Sequence, residues 1–168
     1  RLSYERIVAS HGYKAIFGHG TNSRIDGYHS LHIEELMVIN VGTIYDMDNP
    51  SGERPFMPLT TIDHAAADGF TTGFKSTGDM IINQADLVFA EPGFATSSHL
   101  YLFQVLGDNQ LIRLSDATLS FSEEFNPFSG SHALIGGNQE SIISTVLILD
   151  NVHDQSAPDS AASFVRHQ

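Results

Sequence analysis

The stretch Leu36–Leu59, LMVINVGTIYDMDNPSGERPFMPL, is the part of the sequence from which the fold is predicted. Its first half is rich in β-branched residues and then alternates, a pattern typical of a β-strand. Ile44, Asp46 and Asp48 fall on one face and Tyr45 on the other, because successive side chains of a strand point to opposite faces. The strand ends at an Asn-Pro-Ser-Gly turn signal. If the Asp46 face meets the core, two carboxylates point inward, and such a placement favours a functional site.

Several further β-rich segments follow at short spacing, separated by Gly and Pro, with little helical periodicity. This pattern predicts an all-β barrel or sandwich, and Gly107-Asp108-Asn109 gives a hairpin signal within it. We therefore expect a small antiparallel β-barrel. The predicted organisation is an irregular N-terminal extension over residues 1–35, a barrel over 36–150 and a flexible tail over 151–168.

Composition narrows the range of partners. The 168-residue chain has a net charge of −12 with eight Lys and Arg residues, which argues against nucleic acid and anionic membranes as partners. It has no Cys, so disulfides, thiolate metal sites and Cys nucleophiles are excluded. The first residue is Arg1, and the sequence does not distinguish a removed leader from a trimmed end, so the compartment is unknown.

The order of motifs resembles that of the allene oxide cyclase and dirigent-like barrels, a group of small natural-product cyclases. Residues 45–49, Tyr-Asp-Met-Asp-Asn, are similar to the first-strand Tyr-Glu-Ile-Asn motif of that family, and residues 76–80 are similar to its Thr-Ala-Gly-x-Cys stretch. Residues 101–111 look like its central hairpin, and residues 133–137 look like its glycine turn. The resemblance implies an apolar barrel pocket, cyclase or isomerase activity without metal or cofactor, and a homo-oligomer such as a dimer or trimer.

The candidate catalytic residues are Asp46, Asp48, His99 and Tyr101. Two carboxylates on one strand face would raise each other's pKa in an apolar pocket, so that one serves as general acid and the other as base. The alternative is that both lie at the solvated strand end and cap the turn. His99 and Tyr101 share a face and could shuttle a proton, or could equally lie at the rim.

An apolar small molecule is the expected substrate. Arg113 could orient an anionic group on it, or could pair with a surface acid. The predicted substrate-binding residues are Tyr45, Phe74, Met80, Phe89, Phe103 and Arg113. The expected function is therefore a cofactor-independent cyclase or isomerase, and a lipocalin-type carrier with the same pocket is the first alternative.

The second alternative is a metal-dependent, cupin-like enzyme. His29, His32 and Glu35 resemble a cupin metal motif, and imidazole with carboxylate suits Fe, Mn or Zn. Residues 29 and 32 would face opposite sides of a strand, so a helical turn would be needed to bring them together. The other interpretation is a surface histidine cluster.

Overall fold

The computed structural model describes residues 2–19, 30–48, 58–90, 99–122, 131–155 and 165–167. Within these ranges the chain forms strands almost throughout, with one short helix, α1 (Gln139–Ser144), whose first turn is capped by the Asn138 side chain. The strands are β1 (Leu2–His19), β2 (Leu31–Asp48), β3 (Leu59–Asp68), β4 (Thr72–Ser76), β5 (Asp79–Ile82), β6 (Ala85–Phe89), β7 (His99–Val105), β8 (Leu111–Phe121), β9 (Ser131–Gly137), β10 (Val146–Asp154) and β11 (Val165–His167).

Every strand pairing in the described part of the chain is parallel. Parallel neighbours cannot be joined by tight hairpins, so each strand pairs with a strand from another pass of the chain. The fold is a parallel β-solenoid. The all-β class predicted from the sequence is confirmed, whereas the antiparallel β-barrel is wrong.

The strands lie side by side in two stacks. The first stack contains the first halves of β1 and β2, followed by β3, then β5 with β6, then β8 and β10. The second stack contains the second halves of β1 and β2, followed by β4, β7, β9 and β11. Each pass of the chain therefore contributes to both stacks, and the core lies between them.

The Gly107–Asn109 turn shows why local turn signals were misleading. It connects β7 in the second stack to β8 in the first, so it carries the chain between stacks instead of reversing it. Gln110 supports it, because its side-chain oxygen accepts from the Gly107 N–H and its amide donates to the Gly78 carbonyl. The turn therefore packs on the preceding pass, as a solenoid requires.

The chain also bends at one repeated register position. His11, Asn40 and Gly69 occupy it in successive passes, and all three have positive φ values of 56°, 51° and 88°. Gly69 has the largest of these angles, and a Cβ on it would lie 2.5 Å from the Asn40 Oδ1 atom and 3.4 Å from the Asn40 Cα atom, so glycine is favoured at this position. Because these left-handed residues lie side by side in neighbouring strands, each pass bends at the same register position.

Apolar columns run through the core along the direction of stacking. In the first stack, one column joins Ile33, Ile62, Ile82 and Leu114, all of which are fully buried. In the second stack, the Tyr45, Phe74 and Phe103 rings follow one another, with ring centroids 6.3 Å and 5.7 Å apart. Each aromatic pair of this kind contributes roughly 0.5–1.5 kcal/mol beyond the burial of its area.

Candidate functional site

Two adjacent register positions carry polar residues in each pass of the chain through the first stack. In one pass these two positions are the residues between β5 and β6, and in the last two passes Asp116 and Asn151 have left-handed backbones. We call these residues the polar ridge: Glu5, Arg6, Glu34, Glu35, Asp63, His64, Asn83, Gln84, Ser115, Asp116, Asp150 and Asn151. All except Ser115 are half-buried or exposed. Because parallel strands lie about 4.8 Å apart, the ridge is roughly 24 Å long.

Contacts between neighbouring passes order several of these side chains. Arg6 Nε lies 3.3 Å from Glu35 Oε2, across β1 and β2. At the other end of the ridge, the Asn151 amide donates to Asp116 Oδ1 at 2.8 Å. Such exposed contacts contribute little stability, but they hold polar groups in place at the ladder spacing.

His32 connects to the ridge from a neighbouring register position. Its Nε2 atom lies 2.7 Å from Asp63 Oδ2, and its Nδ1 atom lies 3.5 Å from the Ser3 hydroxyl oxygen. The Asn83 amide donates to the other carboxylate oxygen of Asp63 at 3.1 Å. The His32 side chain is only 17% exposed. The arrangement therefore places a hydroxyl, an imidazole and an oriented carboxylate in one row.

A second polar contact lies in the second stack. Lys14 Nζ in β1 is 2.6 Å from Asp46 Oδ2 in β2, and the Asp46 side chain is 6% exposed. Its other oxygen, Oδ1, has no hydrogen-bond partner among the described residues. Of the predicted catalytic residues, Asp46 is therefore a buried carboxylate held by a cation from the neighbouring strand.

The other predicted catalytic residues are not brought to Asp46. Asp48 ends β2 and His99 begins β7, but their side chains lie outside the described part of the structure. Tyr101 is buried in β7, with its ring against the backbone of Gly136. Strand β4 lies between β2 and β7, so Asp46 and Tyr101 are not on adjacent strands.

The predicted substrate-binding aromatic residues lie in the packed core. Tyr45, Phe74 and Phe103 form the aromatic column, and Met80 and Phe89 are buried in the first stack. Burial raises the pKa of the Tyr45 hydroxyl well above its ordinary value, although the hydrogen bond with Thr60 acts in the opposite direction. The cyclase and isomerase hypotheses depended on a barrel pocket, and the solenoid gives them no support.

Arg113, His32 and Glu35 lie on strands of the first stack. Arg113 lies on β8, and its guanidinium is 3.7 Å from Asp150. His32 contacts Asp63 and Glu35 contacts Arg6, while His29 lies outside the described residues. Among the residues described, no three His, Cys, Asp or Glu side chains form a group that could hold a metal ion.

The polar ridge is not evident from local sequence patterns, because the residues that are neighbours in it are far apart in the chain. His32 and Asp63 are separated by 31 residues, and neither Ser3 nor Asp63 was a candidate for chemistry. A signal was present: Leu2 pairs with Leu31 and Leu31 with Thr60, a spacing of 29 residues on both occasions. The spacing then falls to 20 between Thr60 and Met80, which obscures the repeat.

The fold assigns the chain to the class of parallel β-solenoids, and comparisons with known proteins do not refine this class. No family model, curated protein or solved structure matches the sequence or the fold, so nothing bears on the resemblance to allene oxide cyclases. None of the helices within the described ranges is long and apolar enough to cross a membrane.

Proposed function

We propose that this chain is a binding module that holds an elongated, uncharged, hydroxyl-rich polymer of the polysaccharide class along the polar ridge. The observation that carries the proposal is the continuity of hydrogen-bonding side chains across every pass of the first stack. Stacked repeats create extended surfaces, and an extended ligand can contact one pass after another. Binding energy would then accumulate from many weak contacts instead of from one deep pocket.

The chemistry of the ridge favours hydroxyl groups over charged ligands. Half of its twelve positions carry a donor, namely Arg6, His64, Asn83, Gln84, Ser115 and Asn151, and the other half are carboxylates. A hydroxyl group both donates and accepts, so it can bond to donors and to carboxylates alike, and the His64 and Gln84 side chains make no side-chain bond to another described residue. A polyanion would be repelled by the net charge of −12, and a polycation could not use the donor side chains.

Binding can be tested with neutral soluble polysaccharides in affinity electrophoresis, followed by calorimetry on fragments of any polymer that retards the protein. His64→Ala with Gln84→Ala should weaken binding about tenfold or more, since neither side chain bonds to another described residue. Gln104→Ala, on β7 in the second stack, is the matched control.

Salt dependence distinguishes this proposal from binding of a cationic partner. Association with hydroxyl groups should be nearly constant as ionic strength rises, whereas capture of a polycation should weaken steeply. Equal affinity of the ridge variant and the parent protein for every polymer would show that the ridge is only a solvated surface.

A second candidate function is acyl transfer at Ser3, favoured by the distances in the Ser3–His32–Asp63 row. Such a triad is recognised by geometry and roles, not by sequence order. His32 Nδ1 would accept the Ser3 proton as the serine oxygen attacks an ester carbonyl, and would return it to the departing alcohol. Water would then release the acid and regenerate the serine. The 3.5 Å separation suits an apo site, in which catalytic hydrogen bonds are often long.

Fluorophosphonate labelling and hydrolysis of p-nitrophenyl acetate test this second candidate. Ser3→Ala should abolish both, and Asp63→Asn should reduce both, whereas Ser10→Ala provides an exposed serine on the same strand as the control. Labelling that persists in Ser3→Ala would remove Ser3 from any catalytic role.

A further inference from the structure

The two ends of the first stack are edges in the described part of the structure. Among the described strands, β1 pairs with β2 alone and β10 pairs with β8 alone. Parallel strands direct alternate backbone groups to each side, so half of the β1 ladder groups point away from β2. An edge of 18 residues is a template for pairing with another strand.

The apolar columns of the core are buried in the interior strands and exposed to solvent at both of these edges. Tyr4, Ile33, Ile62, Ile82, Leu114 and Leu149 occupy one register position in successive strands. The four middle members are 0% exposed, whereas Tyr4 is 46% exposed and Leu149 is 42% exposed. Among the described residues, Tyr4 and Leu149 are therefore covered by a neighbouring strand on one side, whereas the interior members of the column are covered on both sides.

The two edges match one another. Following the pairings strand by strand aligns Leu2 with Leu147, Tyr4 with Leu149 and Ile7 with Val152. In the second stack, the same procedure aligns Ile16 with Val165. A second copy placed one strand spacing beyond β10 would thus continue the parallel ladder and the apolar columns that end at Leu147, Leu149 and Val152.

Charge also favours contact between unlike edges. In the half of β1 that belongs to the first stack and would meet β10, Arg6 is a cation and Glu5 is a carboxylate, whereas Lys14 lies in the half that belongs to the second stack. Strand β10 carries two carboxylates, Asp150 and Asp154, and no Lys or Arg. Two copies of β10 in contact would set carboxylate against carboxylate at both positions. In the register above, Asp150 meets Glu5 beside Arg6, and Asp154 meets the uncharged Ala9, so β10 against β1 is the less repulsive arrangement.

We infer that copies of this chain stack head to tail, with β10 of one copy pairing in parallel with β1 of the next. The interface is heterologous, so it leaves a free β1 and a free β10 after every addition. It produces open-ended assemblies whose length rises with concentration, in place of a closed dimer or trimer. This association does not depend on the polymer binding proposed above.

Engineered disulfides test the register directly, because the chain contains no Cys. Val8 and His153 share a register position, so the Val8→Cys/His153→Cys variant should place two Cα atoms about 4.8 Å apart across the interface. That spacing lies within the roughly 4.4–6.8 Å that a disulfide spans. Mild oxidation should give a ladder of linked dimers, trimers and longer species.

The matched control pairs Val8→Cys with Ile148→Cys. These positions are five residues out of register, about 16 Å along the strand, so they should not cross-link. Linked dimers from Val8→Cys alone would reveal a symmetrical contact between two β1 edges and would overturn the head-to-tail arrangement.

Two blocking variants test the polarity of the assembly by sedimentation. Tyr4→Glu disables the β1 edge and Leu149→Glu disables the β10 edge, and circular dichroism checks that each remains folded. Each variant alone should remain monomeric, and an equimolar mixture should give dimers and nothing larger. A parent chain that is monomeric at every concentration, without disulfide ladders, would refute the inference.

Discussion

The aromatic column of the second stack gives the sharpest test of the solenoid, because it joins residues far apart in the chain. Phe74 on β4 and Phe103 on β7 are fully buried, with centroids 5.7 Å apart. Phe89 is also buried, but its ring partners are Phe70 and Phe121 in another part of the core. Phe74 and Phe103 should therefore be energetically coupled, and Phe74 and Phe89 should not.

Replacing each phenylalanine by leucine keeps the core apolar while removing the ring interactions. Each single change should lower the free energy of unfolding by about 1–3 kcal/mol, the ordinary cost of a core substitution. The double-mutant cycle of Phe74 with Phe103 should show a coupling of about 0.5–1.5 kcal/mol. The cycle of Phe74 with Phe89 should be additive within about 0.5 kcal/mol.

Urea denaturation followed by far-ultraviolet circular dichroism measures these free energies, and the chain has no Trp to serve as a fluorescent probe. Equal denaturant slopes in all variants are required before the free energies are compared. Additivity between Phe74 and Phe103, or equal coupling in both cycles, would refute the stacking of β4 on β7.

Three further predictions concern single positions. The unfolded chain releases the Tyr45 proton near pH 10, whereas the folded chain retains it, so the free energy of unfolding should fall above pH 10 by up to about 1.4 kcal/mol per pH unit. Tyr45→Phe should remove this dependence in alkaline urea titrations. Lys14→Met should destabilise the fold by about 1–3 kcal/mol, since Asp46 is then buried without its cation, and Asp46→Asn should restore part of the loss in thermal melts. Gly69→Ala should cost about 1–3 kcal/mol, because the left-handed backbone and the Asn40 side chain both oppose a Cβ, as denaturant midpoints would reveal.

Each of these predictions has its own control. Phe74→Leu, which changes the ring beside Tyr45 without removing a hydroxyl, should leave the alkaline dependence in place. Arg113→Met removes a cation whose partner Asp150 is exposed, and an equal loss there would contradict the importance of the Lys14–Asp46 pair. Gly12→Ala should be tolerated, because a Cβ there meets only the Lys14 carbonyl at 3.7 Å.

Local sequence patterns determined the all-β class, because β-branched alternation and Gly-Pro turns depend on residues that are neighbours in the chain. Strand β2 illustrates this: the apolar run from Leu36 predicted a strand that the structure extends from Leu31 to Asp48. The facing of its side chains was less accessible. Four consecutive residues of β2 are buried, namely Ile44, Tyr45, Asp46 and Met47. Ile44 has no register partner on β1 or β4, and the strict alternation of buried and exposed side chains does not hold around it.

Only the tertiary structure decided which strands are neighbours, and thereby the site. Parallel pairing has no local turn signature, and partners here are separated by spacings of 29, 20, 32 and 35 residues. Asp63 therefore reaches His32 from the next pass, and Lys14 reaches Asp46 from the preceding one. By itself the sequence supplied polar residues at unequal intervals along the chain, and stacking the passes about 4.8 Å apart converted them into a continuous ridge.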